Sequence, residues 1–77
     1  MHRDNLRRAR VRAGLTQAQV AALAGLSRPM YVNIELGRRN PSLDVAIRIA
    51  HVLGESVEAL FEDGGRPASV GIGSTTG

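Results

Sequence analysis

TQAQVAALAGLSRPMYVNIELG, the stretch from Thr16 to Gly37, marks both ends of two short helices and the turn between them. Thr16-Gln17-Ala18-Gln19 has the T-x-x-Q spacing of a capping box, in which the threonine hydroxyl and the second glutamine side chain satisfy amide groups left unpaired by the first turn. Ala18 to Ala24 is rich in alanine, with Val20, Ala21 and Leu23 supplying an apolar face. Gly25 can take the left-handed conformation that ends a helix, and Ser27 stands where the next begins. The second run reaches Leu36 and is stopped by Gly37. Helix, glycine turn and helix at this length is the layout of a DNA-reading helix-turn-helix, whose second helix enters the major groove.

The same punctuation continues outward. Gly14, Gly25, Gly37 and Gly54 each follow a helical stretch, and Thr16, Ser27, Ser42 and Ser56 each sit at or near a start. Five helices are expected, at about 4–13, 17–24, 28–36, 43–53 and 57–62, forming an all-α, compact five-helix domain over residues 3–63. In the fourth helix Leu43, Ala46, Ile47, Ala50 and Leu53 repeat at the spacing of a buried stripe, widened by Ile49 and Val52. The expected core is Leu6, Ala9, Val20, Ala21, Leu23, Leu26, Tyr31, Ile34, Leu43, Ile47, Ala50, Leu53, Leu60 and Phe61. From Gly64 to Gly77 glycine, serine and threonine dominate, and such a tail cannot repay the entropy of ordering. A flexible tail is expected there, ahead of an edge strand at Ala68–Ile72.

Seventy-seven residues make one small domain. A chain near this size buries only about 60% of its unfolded surface, which leaves no room for a deep catalytic cleft. There is no cysteine, so neither a disulfide nor a zinc–cysteine site is available. No apolar run approaches the roughly 20 residues of a bilayer span, and the N-terminus is charged, unlike a signal peptide. A cytoplasmic, nucleoid-associated location is expected, with no membrane partner. His2 and His51 are far apart, Glu62-Asp63 reads as a solvated helix end, and no phosphate loop, nucleophile elbow or metal spacing occurs. An enzyme, a cofactor and a metal are therefore not expected.

The net charge of +3 understates an asymmetry. Residues 1–39 hold eight arginines against Asp4 and Glu35, whereas residues 40–77 hold two against five carboxylates. The basic half contains the helix-turn-helix, and its guanidinium groups suit phosphates. Arg28, in the first turn of the second helix, opposes the helix dipole. Gripping guanine O6 and N7, or a phosphate, compensates for that, and Asn33 one turn on can read adenine.

From Leu6 to Phe61 the chain resembles the phage Cro and lambda-repressor type of helix-turn-helix proteins, the XRE family, and among them the small stand-alone bacterial regulators. The matching pieces are Gly14-Leu15-Thr16-Gln17, Ala21, Gly25-Leu26-Ser27-Arg28, Ile34-Glu35, Gly37, Asn40-Pro41-Ser42-Leu43 and Ala50 through Leu53-Gly54, without a gap in spacing. The resemblance implies a lambda-repressor-like fold and sequence-specific binding of double-stranded DNA by a transcriptional repressor. Gln17 would bind a phosphate and brace the recognition helix, and Arg28 and Asn33, beside Ser27, would face base edges. Arg38, Arg39 and Asn40 would contact the backbone. Arg10 and Glu35 match a partly buried structural ion pair.

Pro29, Met30 and Val32 depart from the family, where polar side chains are common at these places. Met30 and Val32 remain in the DNA-binding set as contacts for thymine methyls. Pro29 disfavours helical geometry at Arg28, so the helix is expected to begin one residue late, with Arg28 rather than Ser27 as its cap. A single unit covers a half-site, so a homodimer on an inverted-repeat operator is expected, paired through the fifth helix at Val57, Leu60 and Phe61. The alternative is an antitoxin-like or other protein-interaction module, for which the apolar strip Pro29-Met30-Val32 would be the contact.

Overall fold

Local caps divide the chain into five helices in the computed structural model, which describes residues 3–61. They are α1 (Asp4–Arg12), α2 (Gln17–Ala24), α3 (Arg28–Glu35), α4 (Leu43–Leu53) and α5 (Val57–Phe61). The capping box forms in full: the Gln19 N–H donates to Thr16 Oγ1 at 3.1 Å, and the Thr16 N–H donates to Gln19 Oε1 at 2.8 Å. Gly25, at φ 73°, closes α2 in the left-handed region that a side chain would strain. Ser42 Oγ accepts from the Val45 N–H at the start of α4, and Ser56 Oγ from the Ala59 N–H at the start of α5.

The start of α3 differs from the late one expected. Ser27 is the cap, its Oγ accepting from the Met30 N–H at 3.2 Å, and Arg28 is the first helical residue. Pro29 fits because the first-turn N–H groups have no intrahelical acceptor, so its missing donor breaks no bond.

Packing is organised about α2, which lies against both α3 and α4, while α1 packs on α5 and touches α3, and α5 also meets α4. The core holds Leu6, Ala9, Val20, Ala21, Ala24, Tyr31, Ile34, Ala46, Ile49, Ala50, Leu53, Leu60 and Phe61. Three expected members are outside it: Leu23 is 65% exposed, Ile47 48% and Leu43 40%. Leu26 is only partly buried. The reason is where the neighbours sit. α2 turns Val20, Ala21 and Ala24 inward, toward α3 and α4. The buried stripe of α4 is Ala46, Ile49, Ala50 and Leu53, the same spacing rotated toward Ile49.

Leu60 and Phe61 are buried within this chain, so they are not open for pairing with a second copy. No helix among the described residues is long and apolar enough to cross a membrane. The segment 64–77, the strand considered at 68–72 and the expected last residue of the fifth helix lie outside the described residues.

Candidate nucleic-acid interface

The second helix of the helix-turn-helix, α3, is held at its C-terminal end by Glu35. This carboxylate is 5% exposed and accepts four hydrogen bonds. Arg10 approaches as a fork, Nε to Oε2 at 2.8 Å and one terminal nitrogen to Oε1 at 3.1 Å. The Tyr31 hydroxyl donates to Oε2 at 2.8 Å and Gln17 Nε2 to Oε1 at 3.1 Å. The second terminal nitrogen of Arg10 donates to the Leu15 carbonyl at 3.0 Å. One carboxylate thus joins α1, the α1–α2 turn, α2 and α3.

The electrostatics follow from this geometry. Burial alone would raise the Glu35 carboxyl, but the bonds from Arg10, Tyr31 and Gln17 outweigh it and hold the group below the ordinary carboxylate range. The bond to Glu35 raises the Arg10 guanidinium, and burial followed by the same carboxylate raises the Tyr31 phenol. Among the described residues no buried side-chain nitrogen or oxygen lacks a partner. The centre is a saturated internal knot rather than a reactive one.

The remaining candidates lie in front of that knot. Gln17, half-buried, stands first in α2 and faces Glu35. Arg28 is exposed at the first turn of α3 and lines one groove with Arg10, Val11, Gly14, Leu15, Thr16, Gln17 and Ala18. The cation therefore shares a surface with the α2 N-terminus, whose unpaired N–H groups favour an anion. Ser27 is exposed, with its hydroxyl oxygen engaged as the cap. Asn33 and Val32 are half-buried, and Met30 packs partly against the core, which leaves only part of its side chain open. Arg38, Arg39 and Asn40 are all exposed in the loop that follows α3. The Asn33 carbonyl shapes that loop by accepting from the N–H groups of Arg38 (2.9 Å) and Arg39 (3.2 Å).

One residue that sequence reasoning missed completes the rear of the site. Arg3, 1% exposed, donates to the Ile34 carbonyl, the Arg39 carbonyl and Asn40 Oδ1. Its one legible signal is an arginine at the N-cap of α1, a place that usually takes a small acceptor side chain.

The helix-turn-helix family model matches residues 6–60, from the heart of α1 to the last turn of α5. The chain belongs to the XRE-type helix-turn-helix family. Family membership puts it among DNA-binding transcription regulators. Among relatives, it is 41% identical over 68 residues to an uncharacterized HTH-type transcriptional regulator of Methanothermobacter thermautotrophicus, covering 83% of this chain and 99% of that one. It is 36% identical over 72 residues to the uncharacterized HTH-type transcriptional regulator YqaE of Bacillus subtilis. That match covers 82% of this chain and 62% of YqaE, so the chain spans under two thirds of that relative's length. Among solved structures, the restriction-modification controller protein C.AhdI from Aeromonas hydrophila superposes with a TM-score of 0.70 at 37% identity, over 74% of this chain and 86% of that one.

Proposed function

We propose that this chain binds double-stranded DNA sequence-specifically, without catalysis, as a transcriptional repressor in the cytoplasm. In this reading α3 lies in the major groove of each half of an inverted-repeat operator. The observation that carries it is the arrangement at the two ends of α3. Arg28 is exposed beside the α2 N-terminus at one end, and Arg38 and Arg39 are exposed at the other, with the helix between braced through Glu35. Phosphates accept from the α2 N-terminus, the free N–H of Gln17 and the loop cations, which sets orientation. Arg28 reads guanine, Asn33 adenine, and Val32 with the open part of Met30 meets thymine methyls. A dimer occupying promoter DNA excludes other proteins from it, which is repression.

The second copy pairs through α4 in this proposal. Leu43 and Ile47 are exposed, one turn apart on one helix face, and that helix directly follows the cationic loop. Sedimentation of the parent and of Ile47→Glu tests this, since a charge at a dimer seam leaves the variant monomeric. The experiment for DNA binding itself is a salt titration on random duplex. A steep fall in affinity with salt reports backbone neutralisation. No binding at low salt contradicts the proposal and favours the antitoxin-like or protein-interaction module, with Pro29-Met30-Val32 as its contact strip.

A further inference from the structure

Arg3 breaks a local rule. As the N-cap of α1 it makes no side-chain cap bond, and a cation there opposes the dipole of its own helix. Its side chain serves α3 instead. The last four carbonyls of α3 have no partner within the helix. Val32 is satisfied by the Leu36 N–H, Asn33 by Arg38 and Arg39, and Ile34 by Gly37. Arg3 supplies the last and reinforces the one before: its backbone N–H donates to the Glu35 carbonyl at 2.9 Å, and its Nε adds a second bond to the Ile34 carbonyl at 2.8 Å. A cation at this helix end is favourable.

The same guanidinium reaches past the helix into the loop. One terminal nitrogen donates to the Arg39 carbonyl at 3.1 Å and to Asn40 Oδ1 at 2.7 Å, while the group lies 5.5 Å from the centre of the Phe61 ring. A planar fork ties the end of α3 to the two loop residues in one plane, which the point charge of a lysine cannot reproduce. Because Oδ1 faces Arg3, the Asn40 amide nitrogen is the part of that exposed side chain left to meet a ligand. That nitrogen is a donor, the chemistry a phosphate oxygen accepts; the reverse orientation would present an oxygen to an anion.

We propose that Arg3 is a positioning residue for DNA binding, which fixes the loop after α3 and turns the Asn40 amide outward as a donor to a backbone phosphate. This deepens the DNA-binding reading and rests on it. Holding the loop before DNA arrives removes an ordering cost from the binding step.

The test uses the full chain and four variants, Arg3→Lys, Arg3→Met, Asn40→Ala and Arg3→Met with Asn40→Ala, at a temperature where circular dichroism shows each folded. Affinity is measured on a short random duplex across salt concentrations, and amide hydrogen exchange is measured on the free proteins. Each single variant is expected to weaken binding about three- to tenfold and to leave the salt slope nearly unchanged, because the lost contact comes from a neutral amide and neutralises no phosphate. The double variant is expected to bind like Asn40→Ala alone, since both changes remove the same contact. In the free proteins, exchange over residues 37–40 rises in both Arg3 variants while the amides of α2 keep their protection. Should Arg3→Met not fold, Arg3→Lys keeps the charge and stem and carries the same expectation.

Parent-like loop exchange and affinity in Arg3→Lys overturn the proposal, as do effects of Arg3→Met and Asn40→Ala that multiply. Failure of the parent to bind any duplex overturns the DNA-binding reading and the phosphate role with it. Loop exchange then still decides whether Arg3 orders residues 37–40.

Discussion

The two ends of α3 are built on opposite plans. At its C-terminal end Glu35 is buried and accepts from Arg10, Tyr31 and Gln17, while Arg3 takes the carbonyls of Ile34 and Glu35. At its N-terminal end a single hydroxyl, Ser27 Oγ, caps the helix, and Arg28 stands exposed. Glu35 and Arg3 are engaged inside the protein at one end, and Arg28 faces solvent at the other. In the proposed DNA-binding reading, the contrast teaches that a reading surface can be sparse when the helix behind it is held by a saturated knot. Under that proposal it also separates two substitutions: loss of Glu35 strikes folding, and loss of Arg28 strikes recognition.

The largest effect is expected at the knot. Glu35→Ala leaves Arg10 without its carboxylate and the Tyr31 hydroxyl and Gln17 amide without acceptors, a loss of about 3–5 kcal/mol. In a domain of this size each kcal/mol is about 4–8 °C, so thermal melting should fall by well over 10 °C. A variant that melts like the parent would erase the contrast, because the pair would then act like an exposed bridge contributing roughly 0–1 kcal/mol.

A titration sharpens the same point. The folded Glu35 carboxyl lies below its ordinary range, so its contribution to stability is complete above the unfolded-state pKa of about 4.3 and is lost as pH falls below that toward the folded value. Urea midpoints of the parent should be flat in this contribution from pH 5 to 7 and then drop in acid. Glu35→Gln should start lower and show a shallower acid limb. Equal acid limbs would mean that Glu35 carries no depressed pKa.

The smallest effect belongs to the open end. Ser27→Ala removes the cap of α3 and should lower stability by about 1 kcal/mol, measured by urea denaturation. A loss as large as that of Glu35→Ala would show the N-terminal end to be held as firmly as the other.

The helices were legible in the sequence because their signals are local. Thr16 with Gln19, Gly25, Ser27 and Ser42 act within four residues of themselves, and all appear as caps. Which face a helix buries is not local. Leu23 and Ile47 stand outside because α2 turns Ala24, and α4 Ala46, toward the neighbouring helices instead. Pro29 misled for a different reason: its restriction on Arg28 is a bias, and the cap bond from Met30 to Ser27 prevailed over it. Beyond its place at the N-cap of α1, Arg3 gave no signal, because its partners lie 31 to 37 residues away and an arginine near a terminus reads as surface charge.

The division of labour along α3 is tested most directly by comparing Arg28→Ala and Arg39→Ala on an operator recovered from bound genomic fragments and on random duplex. A base contact discriminates among sequences, whereas a phosphate contact is blind to them. Arg28→Ala should lose about 1–3 kcal/mol on the operator and almost nothing on random DNA. Arg39→Ala should weaken both alike and reduce the salt slope by about one. If Arg28→Ala weakens both DNAs equally, the open end of α3 does not read sequence through Arg28, and the division into a holding end and a reading end is wrong.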